Sequence, residues 1–218
     1  MPQNGASSNL GRLAADAGRL ISKYPLILIP AVIPAIWLFI APLTGLLNPA
    51  AIIALGYVGV GSWRIFGFTL IYVFLLAVSQ GLTIALVRDA AGGGSVSLSQ
   101  ALEEAISRGS VLLASAVVAA VIISVSSLVF IFPSLVAAFF LWYFIHSVIL
   151  EEEAMTEALR SGVRFATARA GETLLIVLAA LIVGLAFIYI PFVGWLLTIP
   201  TVAYFVTLST LFFIEQDA

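Results

Sequence analysis

The stretch Gly109–Leu150 reads GSVLLASAVVAAVIISVSSLVFIFPSLVAAFFLWYFIHSVIL and contains no lysine, arginine, aspartate or glutamate. A bilayer core about 30 Å thick takes about 20 helical residues, so this stretch of 42 is long enough for two spans. The turn between them must lie at an interface, because backbone groups cannot stay unpaired in lipid. Pro133 marks that turn, since proline lacks an amide hydrogen and restricts the residue before it. The stretch therefore predicts a helical hairpin.

The same pattern extends outward to both ends of the chain. The segments 24–63, 65–87 and 173–214 are also free of charged residues, and the last repeats the two-span length with a turn at Pro191 and Gly194. Six spans follow for the whole chain: 25–47, 65–87, 111–132, 134–150, 173–190 and 193–214.

The first span is the least regular of the six. Pro25 suits a helix start, whereas Pro30 and Pro34 are expected to kink the helix. The glycine-rich, apolar residues 48–63 predict a short re-entrant or interfacial piece, with a seventh span as the alternative.

Composition agrees with lipid as the solvent of most of the chain. Hydrophobic residues make up 62% and charged residues 9%, against roughly 45–50% and 25% in soluble domains. The net charge of −2 argues against a nucleic-acid partner, which needs a basic surface. The absence of cysteine excludes disulfides, thiolate catalysis and cysteine-ligated zinc, and no Ser/His/Asp set can be assembled around the single histidine. Neither an enzyme nor a cofactor is therefore expected.

Three charged segments separate the apolar ones, and each has the helical spacing of an amphipathic, interfacial helix. They are residues 8–23, 98–108 and 152–171. In the second, Ser97 and Gln100 predict a capping box, and Glu104 and Arg108 predict an ion pair along one helix face. The fold class predicted is all-α: one transmembrane bundle over residues 1–218, built as three units of an amphipathic helix followed by a helical hairpin.

Orientation follows from the basic residues. If the amphipathic segments share one side, that side holds eight of the nine basic residues, and Arg64 alone lies opposite. The positive-inside rule makes the shared side cytoplasmic. We therefore expect a multi-pass protein of the cell (plasma) membrane with both termini in the cytoplasm.

Few polar residues offer a site. His146, near the end of the fourth span, could handle protons, but an interfacial polar residue at a helix end is the simpler interpretation. Glu151, Glu152 and Glu153 could attract a divalent cation, although adjacent residues point in different helical directions, which favours a solvated helix start.

Small and hydroxyl-bearing residues inside the spans favour helix packing. Ser79 and Gln80 in the second span and the serines of the third could line a path, but the spans carry no charge to hold a charged substrate. Two pairs have the small-xxx-small spacing of close helix contacts: Ala116 with Ala120, and Ala180 with Gly184.

The last 120 or so residues resemble multi-pass membrane families of bacteria and archaea, including the membrane domain fused to some glycerophosphoryl diester phosphodiesterases. Four pieces carry the resemblance: Ser97–Leu102, Phe132-Pro133-Ser134, Val148–Glu151 followed by Ala158–Ser161, and Ile190–Gly194. Serine stands at position 134, where the families have a Pro-Gly turn. The resemblance implies a six-helix membrane module and, since it does not include the phosphodiesterase domain, no activity.

Two functional hypotheses fit these patterns. The first is a non-catalytic scaffold or accessory subunit that packs with itself or with other membrane subunits. Six basic residues would face anionic lipid: Arg12, Arg19, Lys23, Arg160, Arg164 and Arg169. The alternative is a transporter or channel for an uncharged or lipid-like solute, suggested by the proline-rich first span and the repeated hairpins.

Overall fold

The computed structural model describes residues 6–43, 62–129, 131–188 and 193–217. Those residues form helices and short links and contain no strand, so the predicted all-α class is confirmed. In chain order the elements are α1 (Ala6–Lys23), a 3-10 helix (Pro25–Leu28), α2 (Val32–Leu43), α3 (Ser62–Ala91), α4 (Leu98–Ser107), α5 (Gly109–Val129), α6 (Ile131–Leu141), α7 (Phe144–Leu150), α8 (Met155–Ala168), α9 (Ala170–Ile188) and α10 (Gly194–Asp217).

Four stretches of the described chain are long and apolar enough to cross a membrane. They are Phe66–Ala91, Gly109–Ser126, Pro133–Leu150 and Gly194–Gln216. Two bent pairs bring the number to six when each pair counts as one span: Asn9–Lys23 with Pro25–Ala41, and Met155–Ala168 with Ala170–Gly184. The chain therefore has the helices of a multi-pass membrane protein.

At each of the two bends an amphipathic helix is followed by an apolar helical segment. The chain turns by 102° after Lys23 and by 98° at Arg169. If α2 and α9 cross the bilayer, α1 and α8 lie nearly parallel to its surface, which is the orientation predicted for the amphipathic segments.

The fourth span differs from the prediction in its shape. It is divided into α6 and α7 by a break at Trp142 and Tyr143. Pro133 lies in the first turn of α6 rather than in the link before it, a position where the missing amide hydrogen costs no helical hydrogen bond.

The other predicted turn is described in part. Pro191 lies outside the described residues, and Gly194 is the first residue of α10. A Cβ atom at Gly194 would collide with the carbonyl oxygen of Phe187, so the close approach of α9 and α10 requires glycine there. The piece predicted over 48–63 also lies outside the described residues, apart from Ser62 and Trp63, which begin α3.

Two clusters of buried side chains form the core. The larger joins α3, α5 and α7 around Ile84, Leu86 and Phe144, and the smaller joins α1, α8, α9 and α10 around Tyr143 and Phe213. In the smaller cluster the Tyr204 hydroxyl of α10 also donates to the carbonyl of residue 14 in α1, at 3.2 Å. The first and last described helices therefore pack against each other.

Candidate functional site

Charged residues from the end of α3, from α4 and from the links that follow α4 and α7 meet in an open cleft of about 490 Å³. The cleft lies where the end of α3, helix α4 and the link between α7 and α8 come together. Its lining residues are Arg88, Gln100, Glu103, Glu104, Ser107, Arg108 and Glu152. A second cleft of about 360 Å³ opens beside it, over the glycine-rich link from α3 to α4. Both clefts lie among charged residues rather than between spans.

Arg88 joins the end of α3 to α4. Its Nη1 and Nη2 atoms donate to the two carboxylate oxygens of Glu104, each at 2.6 Å, and Nη2 also lies 3.1 Å from Asp89 Oδ1. This two-pronged geometry is the strongest that arginine makes with a carboxylate. The predicted pair between Glu104 and Arg108 is wrong, because Glu104 turns toward α3 instead.

Arg108 forms an ion pair with Glu152 in the link between α7 and α8. Glu152 has a φ of +59°, the left-handed region that side chains other than glycine adopt at a cost of about 1–2 kcal/mol. The pair therefore anchors the α4–α5 corner to a strained residue.

Two of the three consecutive glutamates, Glu152 and Glu153, have different partners. Glu152 faces Arg108, whereas Glu153 accepts a hydrogen bond from the Ser161 hydroxyl at 2.8 Å. Within the described ranges no three histidine or carboxylate side chains are close enough to hold a metal ion. The stretch therefore offers separate contacts rather than a converging set of ligands.

His146 is buried inside the protein near the end of α7, whereas its depth in the membrane stays a prediction. Only 1% of it is exposed, and its ring lies 5.3 Å from that of Tyr143 and 5.9 Å from that of Phe213, between centroids. Neither ring nitrogen makes a well-formed hydrogen bond, and the Trp142 carbonyl one turn earlier is the acceptor within reach. The aromatic surroundings favour a packing role over proton transfer.

Trp142, which lies in the middle of the predicted fourth span, has a specific polar partner. Its Nε1–H donates to the Ser209 hydroxyl on α10 at 2.8 Å, and that hydroxyl donates in turn to the Phe205 carbonyl at 2.7 Å. The sequence does not indicate this partner, which lies 67 residues further along the chain.

The small residues predicted to pack helices have different surroundings. Ala116 and Ala120 of α5 are buried. Ala180 is half-buried, and a Cβ atom at Gly184 would meet nothing within 4 Å. A packing role for Gly184 would therefore need a partner outside the described residues.

The buried serines accompany a close helix contact rather than a cleft. Ser79 and Ser115 are fully buried on α3 and α5, which pack side by side. Between these helices, a Cβ atom at Gly81 would come within 2.9 Å of the Leu112 side chain.

The six basic residues predicted to face lipid divide into two groups. Arg12 pairs with Glu215, Arg19 lies 3.4 Å from Asp16, and the Lys23 ammonium lies 5.0 Å from the centre of the Tyr24 ring. The second group is exposed and forms no ion pair within the described part of the chain; it consists of Arg160, Arg164 and Arg169.

Comparison with protein-family models, curated protein sequences and solved structures finds no match to this chain. The resemblance of the last 120 residues to known membrane families therefore stays a prediction, and function is inferred from the chemistry of the chain itself.

Proposed function

We propose that the chain is a non-catalytic integral membrane protein of the plasma membrane. It would serve as a scaffold or accessory subunit that packs with itself or with other membrane subunits and contacts anionic lipid at its cytoplasmic face. Many charged side chains outside the apolar stretches already have structural partners, as the ion pairs of Arg12, Arg88 and Arg108 illustrate. That arrangement supports a role in holding helices together rather than in chemistry.

The exposed arginines of α8 carry the lipid-binding part of this proposal. Arg160 and Arg164 lie one turn apart, and Arg169 lies at the corner where the chain bends by 98° into α9. A corner between a surface helix and a span lies at the depth of the lipid headgroups. A basic residue near an anionic membrane surface contributes about 1 kcal/mol, which corresponds to about a fivefold change in affinity.

Native mass spectrometry of the full chain in mild detergent tests this role by titration with phosphatidylglycerol or phosphatidylcholine. Replacing Arg160, Arg164 and Arg169 together by glutamine should weaken phosphatidylglycerol binding by about fivefold per residue and leave phosphatidylcholine binding unchanged. Glu157→Gln, on the same helix, is the matched control and should not weaken binding. An unchanged preference for phosphatidylglycerol in the triple variant would contradict the lipid role.

The accessory role has a separate test. Purification from the native membrane in mild detergent should recover other membrane subunits in fixed stoichiometry, or a homo-oligomer. Migration as a solitary chain with bound lipid would contradict the subunit role and favour the alternative, a transporter of an uncharged or lipid-like solute. The two clefts described above are lined by charged and polar residues, which suit an uncharged or lipid-like solute poorly.

A further inference from the structure

Helix α4 exposes two of its three large apolar side chains instead of burying them. Leu102 is 48% exposed and Ile106 68% exposed, whereas the small residues Ala101 and Ala105 face the core. In water such an exposed pair would be unfavourable by roughly 25 cal/mol for each Å² of apolar surface. The pattern therefore calls for an apolar neighbour on that side of the helix.

The span that follows also exposes an apolar stripe. On α5 the exposed apolar residues recur every fourth position: Leu113, Val117, Val121 and Val125. Helix α4 ends at Ser107 and α5 begins at Gly109, so the two exposed apolar sets lie on consecutive helices. Since α5 is one of the helices long and apolar enough to cross a membrane, its exposed stripe is the surface that acyl chains cover.

The remaining side of α4 is polar and opens onto water. Gln100, Glu103 and Ser107 are exposed and line the charged cleft. The helix therefore has three sides: alanines toward the protein, polar residues toward the cleft, and Leu102 with Ile106 toward neither. The alanines contact the core and the polar residues line the cleft, whereas no neighbour among the described residues covers the third side.

We propose that Leu102 and Ile106 insert into the leaflet on the side of the charged links, so that α4 lies partly immersed in lipid at the edge of the bundle. Helices of this kind bury their apolar side about 5–10 Å into the boundary between headgroups and acyl chains. The contact is with acyl chains, whereas the arginines of α8 would contact headgroups. The proposal rests only on a membrane location for α5, and it can fail while the arginine role holds, or the reverse.

The chain has no cysteine, so a single introduced cysteine can carry one nitroxide label without altering the rest of the sequence. The full protein would be labelled at Ile106→Cys or Leu102→Cys and reconstituted in neutral phosphatidylcholine bilayers. Accessibility to oxygen, which concentrates in lipid, would be compared with accessibility to a water-soluble nickel complex. Val117→Cys is the control for lipid exposure, and Glu103→Cys, on the same helix, is the control for water exposure.

Labels at positions 102 and 106 should show an oxygen-to-nickel accessibility ratio several-fold above that at Glu103→Cys and close to that at Val117→Cys. A ratio equal to that at Glu103→Cys would place the pair in water and overturn the proposal. Low accessibility to both reagents would also overturn it, because protein from a second copy would then cover the pair. Two label sites keep the test valid if one variant fails to fold, which circular dichroism and gel filtration would reveal.

Discussion

Helices α8 and α4 carry similar alternations of apolar and charged residues, yet they attach to the bundle in different ways. Helix α8 packs closely through Gly162, where a Cβ atom would lie 2.9 Å from the Phe144 backbone nitrogen. Helix α4 is tied by the ion pairs of Glu104 with Arg88 and of its following residue, Arg108, with Glu152. Helix α8 is held by close backbone contact, whereas α4 adds ion pairs beside an open cleft to the packing of Ala101 and Ala105. Similar amphipathic patterns can therefore conceal different attachments.

The largest effect is expected from adding a methyl group at Gly162, where α8 contacts the backbone of Tyr143 and Phe144. Gly162→Ala places a methyl group 2.9–3.0 Å from the backbone of Tyr143 and Phe144, which cannot move aside as a flexible side chain would. Overpacking of this kind costs about 1–3 kcal/mol of unfolding free energy, measured by denaturant or SDS titration of the purified protein. Gly18→Ala in α1, where a Cβ atom meets nothing within 4 Å, is the control and should stabilise by about 0.5–1 kcal/mol. Equal effects of the two alanines would refute close packing of α8.

A smaller effect is expected from removing the ion pair that joins α4 to the end of α3. Arg88→Gln removes both 2.6 Å bonds to Glu104 and should lower stability by about 1 kcal/mol, since both side chains keep partial access to water. Hydrogen exchange at the amides of residues 98–107 should accelerate, whereas exchange in α8 should not change. High salt should accelerate α4 exchange in the unaltered protein too, because it screens partly exposed charges.

Arg164→Gln provides the matched comparison, since Arg164 is exposed and has no ion-pair partner in the described chain. It should leave α4 exchange unaltered. If Arg88→Gln also leaves it unaltered, the ion pair does not hold α4 in place.

The smallest effect is expected on the outer side of α4. Ile106→Ala should change the unfolding free energy in detergent by less than about 1 kcal/mol, because the side chain is 68% exposed and keeps apolar surroundings when the protein unfolds. Ile149→Ala in α7, at a position 1% exposed, should cost about 2–5 kcal/mol. A cost at Ile106 as large as that at Ile149 would mean that protein, not detergent or lipid, covers it.

Sequence reasoning failed mainly on polar partners and on one helix break. The capping box predicted at Ser97 is wrong: Ser97 precedes α4, but its hydroxyl bonds the Ser99 hydroxyl at 2.8 Å instead of a backbone amide. No proline or glycine in the sequence indicates the break at Trp142 and Tyr143. At this break Gly162 lies close to the backbone, and Trp142 forms its hydrogen bond with Ser209. Both partners come from distant parts of the chain.

The sequence by itself determined the helical class, the apolar stretches that suit membrane spans and the amphipathic helices at the two bends. These follow from the length of charge-free runs and from periodicity, which are local properties of a chain in lipid. Tertiary structure alone decided which side of each amphipathic helix meets protein, which carboxylate each arginine of the cleft binds, and that His146 is buried. Those outcomes depend on side chains brought together from separate helices, and residue spacing within one helix carries no information about them.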